Sequence, residues 1–321
     1  MTNNHGKQLN IDFRTGAATA INDDKVCENA RSACCAINRE RSKGIRTALE
    51  PDHQDGENSD DVSFRAKCQL NLVPLVRLAA LGLERREDGE LISSGGLKPL
   101  RPGAEAAPFL DASAGIVYKL FYFNKKGGSF FMGKRLAMPS AKDGYGFEII
   151  DEDSDGFDVL EKISIMNEAG ALMTEVVGLS DCFYYIVTKQ PQAYPLGYIS
   201  EFERISSGNH AKLARFDSDR KKAQDSMCAV GIIGGQGLNA HTVMIYVDDN
   251  YWLVGDLHEK NVMLDADGNP TIIDALIGLV TKPALSRHNW LRPNCVAALE
   301  FRETRKMPNR DPYKDINDDE L

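Results

Sequence analysis

Three oxygen-bearing side chains, Asp256, Asn261 and Asp274, carry the clearest chemical pattern in this chain. They stand in Gly255-Asp-Leu-His-Glu-Lys-Asn-Val262 and in Thr271-Ile-Ile-Asp-Ala275. Between the two segments, Asp265-Ala-Asp-Gly-Asn269 has the composition of a tight turn joining two short apolar runs. Such a hairpin returns Asp274 to the side of the loop that holds Asp256 and Asn261, so two carboxylates and a carboxamide converge. Oxygen donors of this kind suit a hard cation such as magnesium, which keeps waters and substrate phosphates in its shell. The remaining carboxylate is then free to orient or deprotonate a hydroxyl nucleophile. Taken singly, Asp256 reads as a turn residue and Asn261 as a cap; the spacing of all three is what points to chemistry. His258 reads as a histidine bracing the loop, with an Asp-x-His metal pair as the alternative.

These residues need a scaffold, and the order of elements predicts one. Two apolar runs flank Asp111-Ala-Ser-Ala-Gly115, a turn-rich segment suited to a hairpin whose second strand carries Lys119. Strand alternation alone would send Lys119 to solvent. A region of Gly and Lys and an acidic run, Asp151 to Asp155, come next. VLEKISIMNEAGALM then has Leu160, Ile163, Met166 and Ala169 at helical spacing, and EVVGL and CFYYIVTKQP read as two strands. Beyond them lie charged helical sequence around Ser200 to Met227 and two strand-like runs, HTVMIYV and YWLVGDL, separated by Asp248-Asp249-Asn250. Upstream of all this, AKCQLNLVPLVRLAALGLERRED has a leucine stripe dense enough for a packing helix, although Pro74 interrupts it.

Composition bounds the function classes. The chain has 321 residues, 38 basic against 47 acidic side chains, a net charge of −9 and 42% hydrophobic residues. That length suits about two lobes with a real core. The acidic balance argues against nucleic acid as the main partner. Neither an apolar stretch of membrane-spanning length nor a secretory leader is visible, so a cytoplasmic protein with no membrane partner is expected. Seven cysteines without CxxC spacing read as free thiols. Gly235-x-Gly237-x-x-Ala240 imitates a dinucleotide-binding turn, but the β-branched run HTVMIYV follows too soon for the helix that would hold a pyrophosphate.

Asp-x-x-x-x-Asn, a hairpin and then an Asp after an apolar pair together resemble the protein-kinase fold. The Gly-Asp-Leu-His-x-x-Asn form resembles small-molecule and atypical kinases more than the His-Arg-Asp form. Gly103-Ala-Glu105, the hairpin into VYK, the LEKISIMNEAG helix, IVTKQP and the Gly-Asp-Leu-His loop narrow this to the kinase domain of bacterial and phage polyvalent proteins. The resemblance spans roughly residues 97 to 280.

It implies an α+β, two-lobed fold with an antiparallel-sheet N-lobe, one main helix and a reduced helical C-lobe. It implies Asp256 as catalytic base, Asn261 and Asp274 as magnesium ligands, and Lys119 on nucleotide phosphates. Glu161 would pair with Lys119, with Glu168 as the alternative, and Gly103 would lie in the phosphate loop. The segment through Gln190 would link the lobes and meet adenine with its backbone. The pattern departs from the family: it lacks a Gly-x-Gly-x-x-Gly loop, a long insertion separates Lys119 from the helix, Asp274 is followed by Ala275-Leu276, no Ala-Pro-Glu motif follows, and 47 residues remain after Asp274.

The expected organisation is a polar, flexible segment over 1–65, a packing helix region over 66–96, an N-lobe over 97–192, a C-lobe over 193–309 and an acidic tail over 310–321. The expected activity is transfer of a phosphoryl group from ATP, with magnesium, to a hydroxyl of a protein or small molecule. The alternatives are a pseudokinase-like nucleotide-binding or scaffold module, and nucleotidyl transfer on the same fold.

Overall fold

The computed structural model describes residues 8–12, 17–21, 75–86, 90–103, 105–122, 131–137, 148–154, 156–180, 182, 185–198, 210–233 and 242–310. Apart from a hairpin of β1 (Gln8–Asp12) and β2 (Ala17–Ile21), the segment expected to be flexible over 1–65 lies outside them, as does the acidic tail beyond residue 310.

The leucine-rich stretch does not form the expected packing helix over its described part. It forms β3 (Leu75–Val76), a 3-10 turn at Leu78–Leu81, β4 (Leu83–Arg85) and β5 (Leu91–Ser93). Pro74 disfavours helix in the residue before it and lacks the N–H a helix would use. Gly82 then ends the turn at φ +66, where an added Cβ would meet the Gly95 Cα at 2.9 Å. Leucine spacing was thus outweighed by chain breakers.

The first large sheet is six-stranded. It contains β6 (Leu97–Pro99), β7 (Ala106–Asp111), β8 (Ile116–Tyr122), β11 (Glu175–Ser180) and β12 (Tyr185–Pro191), in the order β3-β11-β12-β8-β7-β6. The β7–β8 turn forms where expected, because Asp111 Oδ1 accepts from the Ser113 and Ala114 amides and Gly115 takes φ +64. Phe109, Leu120, Tyr185 and Val187 bury one face of this sheet against Leu78 and Leu83. By alternation Lys119 points to the other face, where Thr188, opposite it in register, donates its hydroxyl to the Lys119 carbonyl.

Between β8 and the main helix the chain forms a further antiparallel pair, β9 (Phe131–Ala137) and β10 (Glu148–Ser154), which takes up the acidic run. Helix α1 (Gly156–Ala169) follows, and Leu160, Ile163, Met166 and Ala169, expected at helical spacing, are all buried.

The second half is built on β13 (Val230–Gly231), β14 (Val243–Val247), β15 (Asn250–Gly255) and β18 (Leu276–Leu279), antiparallel in that order. Both faces are covered, which explains continuous apolar runs where an open sheet would alternate. Ile245, Trp252 and Val254 pack with Ile165 and Met166 of α1 and Phe216 of α2 (His210–Ser226). Met244 and Leu253 pack with Leu285 of α3 (Lys282–Arg287) and with Leu291 and Phe301 of α4 (Leu291–Thr304). The β14–β15 turn places both Asp248 and Asp249 at positive φ, the geometry that matches hairpin twist.

β16 (Val262–Leu264) and β17 (Pro270–Ile272) form the hairpin expected around Gly268. Asp265 Oδ1 accepts from the Asp267 and Asn269 amides, and Gly268 sits at φ +82 with open space around it. Gly268→Ala therefore meets only the backbone penalty, and it is expected to lower stability by about 1 kcal/mol. A denaturant midpoint unchanged from the parent would refute this.

The whole is a mixed α+β structure with antiparallel sheets and few helices. Among the described residues, no helix is long and apolar enough to cross a membrane, and Cys182, Cys228 and Cys295 are free.

Candidate active site

β15 ends at Gly255, and the next residue, Asp256, adopts φ +61. An L-residue enters this left-handed region only at a cost, which Asp bears more easily than most. The conformation is held by Asn261, whose Nδ2 donates to the Asp256 carbonyl at 2.8 Å and to its Oδ2 at 3.2 Å. On the other carboxylate oxygen, His258 Nε2 stands 3.6 Å from Oδ1. His258 Nδ1 accepts from the Lys260 amide, so in the neutral ring the proton sits on Nε2, facing the carboxylate. His258 is thus placed to brace the loop.

The hairpin then carries the chain to Asp274. Val262 pairs with Ile272, and past the end of that ladder the Ile273 amide donates to the Asn261 carbonyl at 3.0 Å. The Ile273 carbonyl in turn accepts from Lys119 Nζ, also at 3.0 Å. Four hydrogen bonds therefore join Asp256, Asn261, the residue before Asp274 and a lysine 154 positions upstream.

Two further charged residues complete the group. Lys162 of α1 places Nζ 2.7 Å from Glu105 Oε2 and 3.3 Å from Asp274 Oδ1. Burial disfavours charge on Lys162, yet Asp274 and Glu105 outweigh it and hold the amine above the ordinary lysine range. Lys119 goes the other way: burial depresses its amine, and repulsion from Lys162 adds to this against the attraction of Asp274 and Glu105. Asp274, although partly desolvated, is held below the usual aspartate range by Lys162 first and Lys119 second.

The other expected site residues lie as follows. Glu161 is buried on α1, while the carboxylates acting on Lys119 are Asp274 and Glu105. Glu168 reaches Arg302 of α4 at 2.9 Å and so ties α1 to the second half. The Gly103 amide donates to the Ala106 carbonyl at 3.0 Å, inside the turn that leads to Glu105. The Gln190 side chain is buried and accepts from the Thr174 hydroxyl. Just beyond it, Tyr194 exchanges two backbone hydrogen bonds with Leu264, so the segment leaving the first sheet is stitched to the β16–β17 hairpin.

Sequence reasoning missed Lys162 and Glu105. Lys162 did leave a signal, since it lies three residues after buried Val159 and four before buried Met166, a charge where helical spacing calls for an apolar residue. Glu105 stood only in the Gly103-Ala-Glu105 segment of the resemblance, with nothing local to give it a role in the site.

Chemically, the donor set fits a hard cation. Asn261 commits its amide nitrogen to Asp256 and keeps Oδ1 as an acceptor, while 41% of the Asp274 side chain stays exposed. Among the described residues no group of three or more His, Cys, Asp or Glu is placed to hold a metal ion. Comparison with known proteins finds no family model, no curated protein and no solved structure that matches this chain.

Proposed function

We propose that this chain is an ATP- and magnesium-dependent phosphotransferase of atypical kinase type, acting on a hydroxyl of a protein or small molecule. The observation that carries the reading is the run of hydrogen bonds from Lys119 through Ile273 and Asn261 to Asp256. It brings a strand lysine, a hairpin aspartate and an Asp-x-x-x-x-Asn loop to one place, which is the set that phosphoryl transfer needs. The order of elements supports it too. Lys119 lies on the third strand of the run β6-β7-β8, a helix comes before the next strands of that sheet, and the loop, hairpin and Asp274 follow in the second half. That is the arrangement expected of a two-lobed kinase-like fold with a reduced helical C-lobe.

In this reading Lys119 meets the phosphates of the nucleotide, and Asn261 Oδ1 with Asp274 would hold magnesium. The ion, when bound, neutralises charge on the transferring phosphoryl group. Asp256 orients the acceptor hydroxyl and takes its proton as the oxygen bonds to the terminal phosphorus. The bond from that phosphorus to the bridging oxygen breaks, and ADP leaves with the electron pair.

After incubation with ATP and magnesium in the presence of candidate acceptors, mass spectrometry is expected to report a gain of about 80 Da per site, against about 329 Da for adenylyl transfer. Absence of both gains, with ATP still protecting the chain in a thermal-shift titration, would replace the enzyme by the second reading, a pseudokinase-like binding module. Two observations favour that second reading. The Gly103 amide is already committed to Ala106, and Asp274 already has a lysine partner.

A further inference from the structure

The feature left unused by that reading is Lys162. It is 12% exposed, against 41% for Asp274, and it lies between two carboxylates. Its contact with Glu105 is the shorter, 2.7 Å against 3.3 Å for Asp274. Neither end of the bridge is loose: α1 is packed into the core through Ile165, Met166 and Ala169, and the Glu105 carbonyl accepts from the Tyr122 amide. A lysine ammonium is a compact point charge, the side-chain group closest in kind to a small cation. It therefore stands on the carboxylate that a divalent ion would need.

We propose that Lys162 is a resident counter-ion of Asp274, so that a divalent cation gains this carboxylate only by displacing the lysine onto Glu105. Glu105 is what makes the exchange feasible, because the released amine keeps its shorter ion pair and is never buried alone. Cation binding and the Lys162–Asp274 contact thus oppose each other, and by linkage each weakens the other equally. The inference rests on Asp274 being a cation ligand, as in the proposed function.

Mn2+ binding to the full chain, followed by electron paramagnetic resonance, tests it without turnover. Lys162→Met is expected to bind Mn2+ about tenfold more tightly or better, since a positive charge in contact with the ligand is removed. Lys162→Arg keeps the charge and is expected to stay near the parent. Glu105→Gln leaves the lysine with Asp274 as its remaining carboxylate and is expected to bind more weakly. Because Lys162→Met takes the amine away from Glu105 at a cost to folding, Lys162→Met/Glu105→Gln removes both partners and is compared with Glu105→Gln alone; the tenfold gain should reappear.

Tighter binding that vanishes when Asp274→Asn is added supports the proposal. If the parent binds Mn2+ through Asp274 and loss of Lys162 does not tighten it, the counter-ion role is overturned and the metal site stands. If Asp274→Asn leaves Mn2+ binding unchanged, or none of the variants binds the ion, both readings fall.

Discussion

Asp274→Ala is expected to reduce magnesium-dependent transfer by about 10³-fold or more, the scale of losing a principal electrostatic contact to the transferring phosphoryl group. The same substitution also removes the carboxylate that Lys162 and Lys119 share, leaving two amines with Glu105. Breaking a fully buried pair costs about 3–5 kcal/mol, but Asp274 is 41% exposed, so about 2 kcal/mol is expected. Acid pH separates the two effects. Asp274 has a depressed folded pKa, so its ionised form stabilises the fold fully above the ordinary aspartate value of about 4, and this contribution is lost as pH falls through the lower folded value. Denaturation curves of parent and variant should therefore differ at pH 7 and converge at the acid limit. Activity retained in Asp274→Ala at neutral pH, in a protein shown to be folded, would defeat the assignment.

What could be read from the chain, and what could not, follows from how local each determinant is. The turns at Asp111–Gly115 and Asp265–Asn269 were legible because Asp side chains and Gly conformations act within a few residues. The return of the chain that sets Ile273, next to Asp274, beside the Asp256–Asn261 loop was legible for the same reason: one short hairpin separates them. The Lys119–Ile273 contact was not foreseen, because it spans 154 positions and has no local cause. The leucine stripe misled, since its spacing suited a helix while Pro74 and Gly82 imposed another path. The β9–β10 pair was missed because its acidic strand shows no apolar alternation. The bridge from Lys162 to Glu105 and Asp274 was illegible in pairwise terms, since nothing in a sequence tells which carboxylate will face a helix lysine.

The second large effect is expected at Asp256. Asp256→Asn keeps the size of the side chain and tolerates φ +61, and the bond from Asn261 Nδ2 to the backbone carbonyl of residue 256 is untouched. The loop should therefore stay in place while the residue loses its capacity to take a proton. A positioned general base contributes about 10²–10⁴-fold, and the variant should lose that much in turnover with nucleotide binding unchanged. Asp256→Ala should lose a similar factor in turnover and in addition destabilise the loop. It removes the partner of His258 Nε2 and one of the two acceptors of Asn261, and puts a residue without a compensating side-chain contact at positive φ. The comparison turns on the difference between the two: equal thermal stability would mean that the Asp256 side chain does not secure the loop, and equal turnover of Asp256→Asn and the parent would mean that its carboxylate takes no proton.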